Sequence, residues 1–247
     1  MAFPDRLGCS TISFQHLALP DALDDVRALG FQEIDLGALP GVCDHVPFEL
    51  DDRAIDDVAR TIADAGIRVR SVNGDVGDLN VPAPDPAARR LHLERLLRLT
   101  AAIGAEALVL PCGALDHEPA ATLEVDVARV AHELAVAATL AEAHGTQVWV
   151  ESIHFLRLCW NAERAAMLHE REVEMGILCW PNIDPLIVDL EPLVIMRERV
   201  PLVVAADVAA KLSSKPTIDE VLSLVPRVIA LRWWQADPET AAALVRL

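Results

Sequence analysis

Apolar positions along the chain follow two alternating rhythms. Short runs rich in apolar and β-branched residues stand at LGCSTISF (7–14), FQEIDLG (31–37), IRVRSVNGD (67–75), ALVLPCG (107–113) and QVWVES (147–152). Their lengths and flanking turn residues predict buried strands. Helical patterns lie between them. DDRAIDDVARTIADAG (51–66) opens on Asp51-Asp52, acids suited to a helix start, and stops at Gly66. ARRLHLERLLRLTAAIG (88–104) spaces its leucines three and four apart, and TLEVDVARVAHELAVAATLAEAHG (122–145) is a long amphipathic stretch ending at Gly145. Strand followed by helix, repeated every ~25–40 residues, is the spacing of a parallel α/β fold. No linker or low-complexity segment interrupts it, so residues 1–247 read as one domain.

The last third is less regular. Strand candidates are GILCW (176–180) or LIVDL (186–190), then PLVVAAD (201–207) and RVIALRWW (227–234), with helical stretches at 191–199, 217–225 and 238–247. One strand from 175–190 completes eight βα units and predicts a (β/α)8 TIM barrel, irregular in its C-terminal third, with its site at the C-terminal strand ends. An open dinucleotide-binding sheet would need a glycine-rich phosphate turn after the first strand, and GCSTISFQH has no GxGxxG.

Composition narrows the function. Of 247 residues 53% are apolar, enough for a large core, while 21 Lys and Arg face 38 Asp and Glu for a formal charge of −17. Such a surface repels phosphate backbones and argues against a nucleic-acid partner. The five cysteines form no CxxC pair, a pattern of reduced thiols in a cytoplasm. MAFPDRLGCS lacks a basic segment followed by an apolar run, and no apolar run reaches membrane-spanning length. The expectation is a soluble cytoplasmic protein acting on a small molecule, with a homo-oligomer left open.

Within VWVESIHF (148–155), Glu151 sits in a buried strand and His154 just beyond it. A carboxylate there is costly unless something stabilises its charge. Two readings stand side by side. In one, Arg232 on the last strand neutralises Glu151 in a bidentate ion pair. In the other, Glu151 is a general base whose proton affinity is set by burial and by that cation.

GCSTISF, GVCDHVP (41–47), SVNGDVGDLNVP (71–82), LVLPCGALDHEP (108–119) and VESIHFLRLC (150–159) together resemble the sugar phosphate isomerase/epimerase family, which shares the xylose isomerase-like TIM barrel with endonuclease IV. The resemblance covers roughly residues 5–168, and the order of the motifs after successive strands is more specific than any one of them. It implies that Glu151 stands where the family places a divalent-metal ligand ending strand five. The family's other ligands are an Asp and His after strand six, histidines and an Asp near strand seven, and a Glu on strand eight. This chain departs from that set, because no histidine follows His169. With GILCWPNI as strand six, the expected Asp and His fall on Trp180 and Ile183. Leu202 and Val204 then hold histidine positions on strand seven, and Arg232 or Trp233 replaces the Glu. A rival assignment makes LVVAADVAAK strand six, matching Asp207 to the family Asp, and leaves the barrel one unit short. The expectation is no tightly bound metal. A divalent ion such as Mn on Glu151 with Asp207 or Asp184 and His154 is the disfavoured alternative.

Other candidates carry both a functional and a plain reading. His154 is an acid/base partner or a loop histidine with a structural hydrogen bond. Asn73 and Asp75 can reach substrate hydroxyls from the end of strand three, or serve a turn around Gly74. Cys112 faces the cavity or is a buried, inert thiol. Arg157 holds an anionic substrate group or pairs with surface acids, and Asp44-His45 lies over the mouth or in a solvated turn. His92, His132 and His144 read as helix-surface residues. Trp160, Trp180, Trp233 and Trp234 near strand ends suggest a pocket for a substrate less polar than a sugar, or filling of a defunct site.

Three functions follow. The favoured one is a metal-independent isomerase or epimerase moving a proton next to a carbonyl of a sugar-like or polyketide-like metabolite. The others are a repurposed lyase or cyclase for an apolar metabolite and a catalytically dead ligand- or partner-binding barrel. Only Lys211 and Lys215 follow residue 200, which disfavours Schiff-base chemistry.

Overall fold

A computed structural model describes residues 7–152 and 157–169, together with three later strands. The strands are β1 Leu7–Ser10, β2 Glu33–Ala38, β3 Arg68–Gly74, β4 Ala107–Pro111, β5 Gln147–Ser152, β6 Gly176–Cys179, β7 Leu202–Asp207 and β8 Arg227–Arg232. All are parallel and close in sequence order, with β8 returning to β1. The described helices are α1 Leu19–Ala28, α2 Asp52–Ala65, α3 Pro86–Ala102, α4 Leu123–Ala143 and α5 Ala162–His169.

GILC is strand six and the barrel has its full complement, so the rival assignment of LVVAAD to strand six is overturned. The alternative strand 186–190 and the expected helices at 191–199, 217–225 and 238–247 lie outside the described residues. The first strand is shorter than its pattern implies. Only Leu7–Ser10 pairs in the sheet, and Thr11–Phe14 coils into a 3-10 turn. Helix α1 is not among the expected elements, though its buried stripe of Leu19, Ala22, Leu23 and Val26 has helical spacing. The helix start expected at Asp51-Asp52 holds, while α3 begins two residues before its leucine pattern, at Pro86. The side chains of Asp51, Asp85 and Thr122 accept backbone N–H bonds from Ala54, Ala88 and Val125, capping α2, α3 and α4.

Alternation along the strands sorts side chains into two sets. Ile34, Leu36, Val69, Val72, Leu108, Leu110, Val148 and Val150 join the apolar layer beneath the helices. Glu33 and Asp35, the alternate positions of β2, bond instead to polar residues of the neighbouring strands. At the N-terminal end, Arg70 donates from Nε to Glu33 Oε1 at 2.9 Å and from Nη2 to Oε2 at 2.6 Å, and also pairs with Glu106. One layer higher, Asp35 accepts the hydroxyls of Ser71 at 2.7 Å and Ser10 at 3.1 Å. The barrel is thus apolar under its described helices, and the inward positions of β1, β2 and β3 carry a polar network.

Close approach fixes one glycine. A Cβ on Gly37 would lie 2.6 Å from Cys43 Sγ and 2.9 Å from Ile12 Cγ1. The Gly37 N–H also donates to Thr11 Oγ1 at 2.9 Å. Gly37→Ala should therefore cost about 1–3 kcal/mol, the usual range for forcing an extra methyl into a packed site, and thermal unfolding checks it.

Candidate active site

Parallel strands of a barrel deliver their C-terminal residues to one face, and the site is assembled there. Glu151 is the penultimate residue of β5, opposite Pro111 of β4, and only 5% exposed. The Cys112 N–H donates to the Glu151 carbonyl at 3.2 Å and pins this strand end. Asn73, paired in register with Gly37 and Val109, is 2% exposed, and its Oδ1 has no hydrogen-bond partner. A buried acceptor left unpaired is uncommon and points to a missing donor.

Asp75 lies just past β3. Its Oδ1 accepts the Gly77 N–H at 2.7 Å, the turn expected of VNGD, while Oδ2 accepts from Arg157 Nη2 at 3.3 Å. Arg157 also donates from Nη1 to the Gly113 carbonyl at 3.0 Å, and its buried Nε–H is unpartnered. Arg157 is therefore held inside the face rather than by surface acids. Cys112 is fully buried beside Leu158 and Cys159, and burial, with Cys159 adding, pushes its thiol well up. Trp160 is part exposed and stacks on His117 with ring centroids 4.9 Å apart and planes 20° from parallel. His154 and Trp180 lie outside the described residues. Arg232 is the last residue of β8, in register with Asp207 of β7.

The loop after β2 is more ordered than a solvated turn. Asp44 Oδ1 accepts the Gly41 N–H at 3.0 Å, and His45 is buried. His45 Nε2 lies 3.2 Å from the Leu17 carbonyl and Nδ1 3.2 Å from Cys43 Sγ. A carbonyl only accepts, so Nε2 carries the proton and Nδ1 accepts the thiol. Burial pushes Cys43 up to about 11 and lowers His45 below its ordinary value.

His92 corrects the surface reading. It is partly buried on α3, tilted against Phe48 at 4.7 Å, and bonded to the Asp75 backbone, while its Nε2 is buried without a partner. Burial lowers its proton affinity as well. His132 is exposed, as expected. Because folding depresses both His45 and His92, the native state holds fewer protons than the unfolded chain just below the ordinary histidine value of 6.5. The stability they contribute is full above that value and falls away as acid reaches their lowered folded values. The melting temperature should therefore decline as pH drops below ~6.5. That slope should be shallower in His45→Asn and His92→Asn, whatever their absolute stabilities.

Sequence reasoning missed the clamp behind the site. Asp126, fully buried in the first turn of α4, accepts from Asn80 Nδ2 at 2.9 Å and from the N–H groups of Ala120 and Ala121. Asn80 Oδ1 accepts the Ala114 N–H at 2.8 Å. These bonds tie the loop after β3 to the loop after β4, behind Asp75 and Cys112. An acid near a helix start is ordinary in sequence, so nothing local marked it. His117 was likewise unmarked as the partner of Trp160.

The described residues contain no group of three or more His, Cys, Asp or Glu able to hold a metal ion. A divalent ion wants several anionic or imidazole donors. Here the described ring offers Glu151, and β8 brings a cationic residue type into register beside Asp207.

The profile of the xylose isomerase-like TIM barrel family matches residues 23–171, more than half of the sequence. The chain belongs to that family. The barrel superposes on other solved members of this architecture. The 3-keto-D-glucoside 4-epimerase YcjR from E. coli is 17% identical, with a TM-score of 0.69 and 98% of each chain covered. The D-allulose 3-epimerase from Methylomonas sp. is 15% identical, with a TM-score of 0.70 over 99% of this chain and 91% of that one. The IolI protein, solved with a zinc atom, is 14% identical, with a TM-score of 0.72 over 98% and 94%. At these identities the likeness is one of fold. No curated protein matches the sequence.

Proposed function

We propose that this member of the xylose isomerase-like family is a metal-independent isomerase or epimerase that moves a proton next to a carbonyl of a small sugar-like molecule, with Glu151 as the base. The observation that carries the reading is a buried carboxylate at the C-terminal end of β5, on the same face as the unpaired Asn73 Oδ1. Glu151 takes the proton from the carbon next to the carbonyl and leaves an enediolate; return of the proton to the other face or the neighbouring carbon completes the reaction. Asn73 Oδ1 accepts a substrate hydroxyl, and the Arg157 Nε–H donates to a substrate oxygen, each meeting a need the protein leaves open. His154 is the proposed second acid/base group.

Several names among the structural neighbours, the 3-keto-glucoside and D-allulose epimerases included, support a sugar-like substrate. The sequence supports independence from metal, since no histidine follows His169 and apolar residues stand at positions where the resemblance places ligands. We place the protein in the cytoplasm on its cysteine usage; no described helix is long and apolar enough to cross a membrane.

Incubation with ketoses in D2O, with and without a chelator, tests the reading. The expected result is chelator-resistant deuterium incorporation next to the carbonyl. Incorporation lost with chelator and restored by Mn or Zn would overturn metal independence. Loss of water from the substrate without exchange would favour a lyase, and no reaction across the panel a binding-only barrel.

A further inference from the structure

The described large apolar side chains that stand exposed are Val42, Phe48, Leu91, Leu115, Val125 and Trp160. Their placement is one-sided. Val42 and Phe48 lie in the loop after β2, Leu115 in the loop after β4 and Trp160 in the segment after β5, while Leu91 and Val125 fall in the first two turns of α3 and α4. Every one of them is at the C-terminal end of the barrel. Among the described residues the opposite end exposes no large apolar side chain, in a protein of formal charge −17. Scattered exposed apolar groups need no explanation, but a set gathered at one end marks a contact surface.

The same end carries three buried polar atoms that lack partners, Asn73 Oδ1, Arg157 Nε and His92 Nε2. Polar needs and exposed apolar side chains therefore share one end of the barrel. The rim also has a shaped element. The Trp160 ring and the His117 imidazole stack nearly parallel, and Arg164 braces them by donating from Nη1 to the carbonyls of His117 and Leu158. A braced flat surface at the same end as those polar groups suits a flat or aliphatic substituent carried on a polar head.

We infer that the substrate is amphiphilic: a ketosugar-like head that enters the barrel mouth, bearing an apolar aryl or alkyl substituent that rests on the His117–Trp160 stack and Leu115. This inference rests on the reading above for the head and adds the tail. Trp160 and Leu115 become specificity-determining residues, outside the proton-transfer step.

The test is calorimetric binding of the methyl and phenyl glycosides of 3-keto-β-D-glucopyranose to the full chain and to its Glu151→Gln variant, which binds without turnover. The phenyl glycoside should bind about tenfold more tightly, the scale of one buried aromatic contact. Trp160→Ala and Leu115→Ser should erase that difference, chiefly by weakening the phenyl glycoside. Equal binding of the two glycosides, or no binding of either, overturns the inference. So does a dimer, seen by sedimentation, that dissociates on Leu115→Ser, because the rim would then be an interface between two copies. Preferential binding of the phenyl glycoside without deuterium exchange would sustain the amphiphilic substrate and refute the isomerase reading, so the two fail separately.

Discussion

Glu151→Gln should lower turnover by roughly a hundredfold or more while the protein stays folded, the usual scale for loss of a general base. The substitution keeps the shape of the side chain and one acceptor oxygen, but an amide cannot take a proton from carbon. Glu151 stands at the end of β5 with its backbone fixed by the Cys112 N–H, so the amide would occupy the same place. KM should move little, because the groups proposed to hold substrate are Asn73 and Arg157. Steady-state kinetics and deuterium exchange, normalised to folded protein by circular dichroism, give the answer. Unchanged activity per folded molecule together with a lowered melting temperature would make the carboxylate structural, with Arg232 the first partner to test.

The largest stability effect is expected at the other end of the barrel. Arg70 and Glu33 form a two-pronged ion pair with side chains 8% and 3% exposed. Removing one member of such a pair leaves a charge in a medium that solvates it poorly, at a cost of about 3–5 kcal/mol. Arg70→Met should accordingly lower the melting temperature by on the order of 10 °C in a chain of this size. Arg68 cannot take over. Its Nη2 is 3.5 Å from Glu33, but the side chain is 63% exposed and water screens its charge. Adding Glu33→Gln to Arg70→Met should recover much of the loss, since the stranded charge is then gone. A double variant as unstable as the single one would assign the cost to lost packing of the arginine stem instead.

The site was only partly legible in advance. VNGD left substrate contact and a turn around Gly74 open; Gly74 ends β3 and Asp75 accepts the Gly77 N–H just beyond it, while the position of Glu151 followed from its place at the end of a buried strand. The partner of Asp75 did not follow. Arg157 lies 82 positions along the chain from Asp75, and only the pairing of β3, β4 and β5 brings the two together. The reading of His92 failed for a related reason. Its helix places it opposite the leucine stripe, which predicts solvent, but the loop carrying Phe48 folds across that side.

What the sequence by itself determined is the repeating unit. Period-two and period-3.6 apolar patterns, with Asp51-Asp52 at a helix start, settle local structure because each depends only on neighbours a turn or a strand away. Eight such units then leave few architectures that bury both faces of a parallel sheet. What only the tertiary structure decided is the polar interior and the rim. Asp35, Ser10 and Ser71 meet along the barrel axis, Asn80 and Asp126 join two loops, and His117 stacks on Trp160. Each of these contacts joins residues from separate elements, and a charged or polar side chain in a strand carries no local sign of its partner. Its energy comes from burial and from a donor or acceptor delivered by another strand, and both exist only once the barrel closes.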